Sequence, residues 1–323
     1  MAWPGKIAVV GAGYMGRGIA QVLAESGNPC VLADLSAERA AAAADLLLSE
    51  AQRHERDGLR AHGTADRLRP LVSAAMSVED AVREADLIVE AVFEDRDVKT
   101  EVLGAIEGTA RPGAVIASNT SAISIGSLSA SLRSPERFLG AHWFNPPQFV
   151  PGVELIASPR TDPDVVTRVE TLLLAAGKQP ARVADSPGFV GNRLQYALFQ
   201  EAVALVEEGV ATAETVDAVV RSTFGFRLPV FGPLAIADMA GLDVYRGAYR
   251  VLEEAYPERF AAPQALKDLI ERGDFGAKTG SGFVIRSRAE GEAMAARRDR
   301  AYAAIGRVVT DFERDTTATD AAQ

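Results

Sequence analysis

Up to Ala184 the chain alternates two textures: short wholly apolar runs, and longer segments whose apolar residues recur every three or four positions. Lys6-Ile7-Ala8-Val9-Val10 is short enough for one strand buried on both faces. Met15, Ile19, Val22 and Leu23 follow at i, i+4, i+7, i+8, one apolar face of a helix. Pro29 to Asp34 reads as the next strand, Val78 to Ala85 as a short helix and Asp86 to Val92 as a strand. Val98 to Glu107 reads as a helix, and Arg111-Pro112-Gly113 turns into the strand Ala114 to Ser118. The runs Phe138 to Phe144 and Val153 to Ala157, a helix from Asp162 to Ala176 and a strand from Gln179 to Ala184 complete the series. Strands alternating with helices predict a parallel sheet covered on both faces.

Two stretches depart from this rhythm. Ser36 to Arg69 is helical but charged on most faces, which predicts a polar arm standing off the sheet and turning at His62-Gly63-Thr64. A substrate contact and a plain solvated hairpin are both open to it. After Asp185-Ser186-Pro187-Gly188 the periodicity becomes helical throughout: Phe189 to Glu208, Ala213 to Ser222, Leu234 to Tyr256 and Pro263 to Arg272. The segment Glu290 to Arg314 spaces Tyr302, Ile305, Val309 and Phe312 along one face, an amphipathic helix that needs a surface to cover. These patterns predict a doubly wound α/β domain over 1–186 and an all-helical domain over 187–323.

Gly11-Ala12-Gly13-Tyr14-Met15-Gly16 lies between the first strand and the first helix, the context a dinucleotide site requires. Gly11 permits the tight turn, Gly13 lets backbone N–H groups approach a pyrophosphate, and Gly16 lets helix pack on strand. The phosphates then meet the positive end of the helix dipole, with Tyr14 and Met15 in its first turn. Asp34 ends the second strand, where a carboxylate accepts hydrogen bonds from ribose hydroxyls and repels a 2′-phosphate. The reading is a Rossmann site for NAD. Arg39 lies near enough to temper the selection against NADP, and flavin proteins share the glycine pattern.

The 34 basic and 44 acidic side chains give a net charge of −10, against a nucleic-acid or anionic-membrane binder. The single Cys30 excludes an internal disulfide and a cysteine metal cluster, as expected in a reducing cytosol. The first strand begins at Lys6, leaving no room for a signal peptide, and no apolar run nears the ~18 residues of a membrane span. The expectation is a cytoplasmic protein.

Ligands of such sheets bind beyond the carboxyl ends of the strands, which selects Glu94, Lys99, Asn119 and Ser121. Of three histidines, His54 and His62 lie in the polar arm and read as solvated, whereas His142 ends an apolar strand. If the strands 138–144 and 153–157 are neighbours, Glu154 reaches the imidazole, fixes its tautomer and leaves the other nitrogen to take a proton. No His-x-x-x-His spacing suggests a metal site.

With these residues in view, the chain resembles the L-3-hydroxyacyl-CoA dehydrogenases from Lys6 to about Phe283. The markers are Ser118-Asn119-Thr120-Ser121, His142-Trp143-Phe144-Asn145-Pro146, Glu154, Asp185 to Arg193, Phe231-Gly232-Pro233 and Lys278 to Phe283. The resemblance implies that His142 removes the hydroxyl proton while hydride passes to NAD, with Glu154 as its partner carboxylate. It implies that Ser121 and Asn192 bond the reacting oxygen and complete a pocket between the domains. Glu94, Lys99, Asn145 and Lys278 are implied cofactor contacts, Asn119 is expected to join them from its strand end, and a homodimer formed through the helical domain is implied too.

Departures concern the substrate. The segment Phe226 to Val230 differs from the acyl-CoA enzymes, and the loop Gln148 to Gly152, the His142-Trp143 pair and the tail beyond Phe283 look more like the branch of the family that acts on CoA-free hydroxy acids and pyridine carboxylates. Arg227 could clamp a substrate carboxylate or be an ordinary surface charge, and the arm's arginines could serve CoA phosphates. The 6-phosphogluconate-like β-hydroxyacid dehydrogenases need a lysine after the domain boundary, and Phe189 to Glu208 has none. A non-catalytic relative would have lost part of the set Ser121, His142, Glu154 and Asn192; all four are present.

Overall fold

A computed structural model describes residues 5–320. The chain divides into two compact units, Met1–Phe199 and Gln200–Gln323. The first runs β1 Lys6–Val10, α1 Tyr14–Glu25, β2 Cys30–Ala33, α2 Ala37–Arg56, α3 Thr64–Leu68, β3 Val72–Ala74, α4 Val78–Val82 and β4 Ala85–Glu90. It continues with α5 Arg96–Thr109, β5 Val115–Ser118, α6 Ile125–Ser129, β6 Phe138–Trp143, β7 Gly152–Ala157, α7 Pro163–Ala175, β8 Gln179–Ala184 and the start of α8 Gly191–Glu207. Its single sheet has the order β3-β2-β1-β4-β5-β6-β7-β8. Every neighbouring pair is parallel except β6 against β7.

Side chains alternate between the sheet faces, so each strand feeds two cores. Ile7, Val9, Leu32 and Leu155 pack on one side, and Ala8, Val10, Ile88 and Ile116 on the other. The segment expected to stand off the sheet as a polar arm lies on it instead. Ala43, Ala44, Leu47 and Ala51 of α2, with Ala65 and Leu68 of α3, belong to the first core and bring these helices onto the sheet. A stripe of small residues was enough to seat a helix whose other faces are charged. His54, read as solvated, is 8% exposed and meets the edge of the Phe149 ring. The short edge strand β3 and the helix α6 have no counterpart in the hydrophobic pattern, each being too brief to show a period.

The second unit contains α9 Ala213–Ser222, α10 Pro233–Ala240, α11 Leu242–Ala255, α12 Gln264–Glu271 and α13 Arg288–Asp320. One helix was expected over Leu234 to Tyr256; two occur, parted at Gly241 with φ +100°. A side chain on Gly241 would run into Asp243 and Lys278, so the break permits a close approach. Ala237, Leu242, Leu266 and Leu269 form a small core. The fully buried Asp238 carboxylate accepts the backbone N–H groups of Phe283, Val284 and Ile285, which pins the segment after Lys278. On α13, Tyr302 packs edge-on to Phe226 and Phe231, whereas Val308 and Val309 are exposed. Among the described residues no helix is long and apolar enough to cross a membrane.

Candidate active site

The glycine turn has the shape its sequence implies. Gly11 takes φ +96°, and a Cβ there would strike the Ala91 and Val92 backbone. A Cβ on Gly16 would meet the Gly11 carbonyl at 1.9 Å, so α1 can approach β1 only with glycine there. A Cβ on Gly13 would meet nothing within 4 Å and would point into open space. That space belongs to a cavity of about 710 Å³ lined by Gly11, Gly13, Tyr14, Met15 and Asp34, with Leu35, Met76 and Phe93 largely exposed along it. The N-terminal N–H groups of α1, a carboxylate just past β2 and an apolar slot suit a dinucleotide.

Asp34 accepts N–H groups from Ala12 at 2.9 Å and Leu35 at 2.8 Å, and the Arg39 Nε at 2.7 Å. Burial opposes its ionisation, but those backbone N–H groups and the guanidinium outweigh it and hold the carboxyl below the usual aspartate value.

At the ends of β4 and β5 the structure builds a shelf. Glu90 is fully buried and accepts the Lys99 ammonium at 2.8 Å, the Ser118 hydroxyl and the Val92 N–H. Lys99 was expected to touch the cofactor. It is 1% exposed, and its three donors face Glu90, the Val92 carbonyl and Glu94. Glu94 accepts the Thr120 hydroxyl and the N–H groups of Ser121 and Ala122. Burial opposes its charge; the Thr120 hydroxyl, Lys99 and the two N–H groups outweigh that and lower its pKa. With the folded-state value below the unfolded one, this stabilisation is present above the ordinary glutamate value and is lost as acid protonates the group.

The antiparallel pairing of β6 and β7 sets His142 directly opposite Glu154, on one face of the sheet. The His142 Nδ1 lies 2.8 Å from Glu154 Oε2, both side chains being buried. A carboxylate only accepts, so it selects the tautomer with hydrogen on Nδ1 and leaves Nε2 the basic nitrogen. The other oxygen of Glu154 accepts the N–H groups of Val190 at 3.0 Å and Gly191 at 2.9 Å, where α8 begins. Phe144 and Phe189 flank the imidazole at 4.5 and 5.7 Å between ring centres. Phe189 adopts φ +50°, a backbone conformation costly for a bulky residue, and is fully buried.

Asn192 donates its amide to the Ser121 carbonyl at 2.7 Å, and the Ser121 hydroxyl has no partner among the described residues. Asn119 spends its carbonyl on the Trp143 N–H at 2.9 Å, which ties the 118–121 turn to the strand carrying His142. Asn145 is exposed and precedes a cis peptide to Pro146. Lys278, in the second unit, pairs with Asp243 at 2.8 Å.

Several supporting residues escaped the sequence reading. The loop after His142 is held by Arg60, which donates to the Gln148 carbonyl and lies over the Phe149 ring, and by Lys178, which donates to the Val150 carbonyl. Burial, then the nearby Arg60, pushes the Lys178 ammonium below the usual lysine value. Asp185 accepts the Ser124 hydroxyl and the N–H groups of Ile125 and Gly126, joining α6 to the turn before α8. Two left a signal: Asp185 stands at the change of texture and in the marker 185–193, and Glu90 is an acid within the apolar run Asp86 to Val92. No group of three His, Cys, Asp or Glu side chains set to hold a metal occurs among the described residues.

The model of the 3-hydroxyacyl-CoA dehydrogenase NAD-binding domain matches residues 6–186, and that of the C-terminal domain matches residues 188–286. A 5-formyl-3-hydroxy-2-methylpyridine 4-carboxylate 5-dehydrogenase of Mesorhizobium japonicum is 36% identical over 316 residues, covering 95% of this chain and 99% of that protein. The crystal structure of a 3-hydroxyacyl-CoA dehydrogenase from Archaeoglobus fulgidus is 34% identical and covers 94% of this chain and 99% of its own, with a TM-score of 0.76. A structure of a 5-formyl-3-hydroxy-2-methylpyridine 4-carboxylic acid 5-dehydrogenase, described as an NAD-dependent dismutase, is also 34% identical, with coverages of 94% and 98% and a TM-score of 0.70.

Proposed function

The chain belongs to the 3-hydroxyacyl-CoA dehydrogenase family and is an NAD-dependent oxidoreductase, and from that premise we propose that His142 is its catalytic base, oriented by Glu154. The observation that carries this reading is the 2.8 Å contact between His142 Nδ1 and Glu154 Oε2 across paired strands. NAD held at the glycine turn supplies the hydride acceptor. His142 Nε2 takes the proton of the substrate hydroxyl, and the Glu154 carboxylate stabilises the imidazolium that forms. The Ser121 hydroxyl donates to the reacting oxygen. Asn192 holds the Ser121 turn through its carbonyl and offers the rest of its amide to the same oxygen. Glu94, Asn119 and Asn145 would hold the nicotinamide end, and Lys99 braces Glu94.

For the substrate we favour a carboxylate without CoA. The Mesorhizobium pyridine carboxylate dehydrogenase is related along 99% of its own length, which supports that branch. A 3-hydroxyacyl-CoA thioester is the second reading, supported by the archaeal relative. Purified protein with NAD, assayed for NADH against 3-hydroxyacyl-CoAs, free β-hydroxy acids and formyl or hydroxymethyl pyridine carboxylates, separates them. NADH with the free acids only is the expected result; NADH with the thioesters only favours the second reading. No NADH with any of them counts against a catalytic role.

A homodimer in the cytoplasm completes the proposal. Exposed Val219, Val244 and Val251 on the second unit, with Val308 and Val309 of α13, offer apolar surface for a second copy. Ending the chain at Arg288 removes α13 and is expected to halve the mass seen by light scattering; an unchanged mass per protomer count would remove α13 from the interface.

A further inference from the structure

The adenosine end of the cavity carries a feature at odds with strict selection for NAD. Asp34 Oδ1 already accepts the Leu35 N–H and the Arg39 Nε, and Oδ2 accepts the Ala12 N–H. A carboxylate has about four acceptor positions, so Asp34 keeps one for a ribose diol that presents two hydroxyls. Its negative charge, the feature that repels a 2′-phosphate, faces a guanidinium 2.7 Å away. Arg39 is itself 66% exposed at the side chain and lines the cavity. Only its Nε is engaged; the two terminal amino groups make no hydrogen bond among the described residues.

We propose that Arg39 is a specificity-determining residue that lets this site take a 2′-phosphorylated dinucleotide, NADP, as well as NAD. The inference rests on the NAD site itself. With its Nε anchored on Asp34, the guanidinium is held with its terminal donors beside the place where a carboxylate normally meets the ribose. Two N–H donors in a fixed plane match two oxygens of a phosphate, and a charge-assisted contact of this kind is stronger than a neutral one. Arg39 therefore acts twice: it cancels the charge of Asp34, and it supplies donors to the extra phosphate. Glu79 also lines the cavity and works against an anion, so the tolerance depends on Arg39.

Calorimetric titration with 5′-AMP and with adenosine 2′,5′-bisphosphate, which differ only in the 2′-phosphate, reads the effect without turnover. The wild-type protein is expected to bind the two within about tenfold of each other. In Arg39→Leu the ratio of the bisphosphate Kd to the AMP Kd should rise at least about tenfold. Arg39→Lys, which keeps the charge but loses the planar fork, should fall between. The kcat/KM ratio for NADP over NAD should follow the same order. A Kd ratio in Arg39→Leu within about twofold of wild type would overturn the proposal. Loss of AMP binding by the wild-type protein would instead overturn the dinucleotide site on which the proposal stands.

Discussion

His142→Gln is expected to lower kcat about 10³-fold while NAD binding persists, the middle of the range that one general base contributes. Glutamine fills similar space and can still bond Glu154, but its amide nitrogen accepts no proton. The loss should appear in kcat at saturating NAD and substrate, because the cradle at Gly11, Gly13, Gly16 and Asp34 draws on other strands than β6. Fluorescence titration with NADH checks the binding and steady-state kinetics the rate. Turnover retained within about tenfold would remove His142 as base and return the histidine to an ordinary buried residue.

The second large effect is on stability. Lys99→Met should cost about 3–5 kcal/mol, because it strands the fully buried Glu90 with a hydroxyl and an N–H but no cation. Glu90→Gln combined with Lys99→Met leaves no buried charge from the pair, so the double variant should recover part of the loss. Urea unfolding midpoints of the wild-type chain and the two variants provide the comparison. A double variant less stable than Lys99→Met alone would mean that Glu90 is held by its neutral partners and not by the lysine. Activity should fall with stability in Lys99→Met, since Lys99 also pairs with Glu94, which holds the Ser121 turn.

The parts of the fold visible in the sequence are those governed by local rules. The apolar runs marked seven of the eight strands, and the glycine turn needed only its neighbours in the chain to be read. The pairing of His142 with Glu154 was legible because two adjacent strands joined by a short loop put opposite residues on one face. Features decided by packing between distant segments were not legible. His54 and α2 looked solvated because charge outnumbers apolar surface, yet alanines at close spacing let the helix lie on the sheet. The direction of Lys99 is set by Glu90, nine residues earlier, and no periodicity reports where an ammonium will find its acceptors. The positive φ of Phe189 and the break at Gly241 each answer a contact from far along the chain: the His142 ring for one and Lys278 for the other.

Two interactions converge on Glu154: one oxygen on the imidazole, the other on the start of α8. Its removal therefore disturbs both the imidazole and the start of α8, where Asn192 lies. A double-mutant cycle on kcat separates these effects and tests the pair as a unit. If Glu154 works through the imidazole, Glu154→Gln lowers kcat in the wild-type background but adds little once His142 is Gln. Independent, multiplicative losses from the two substitutions would contradict the account.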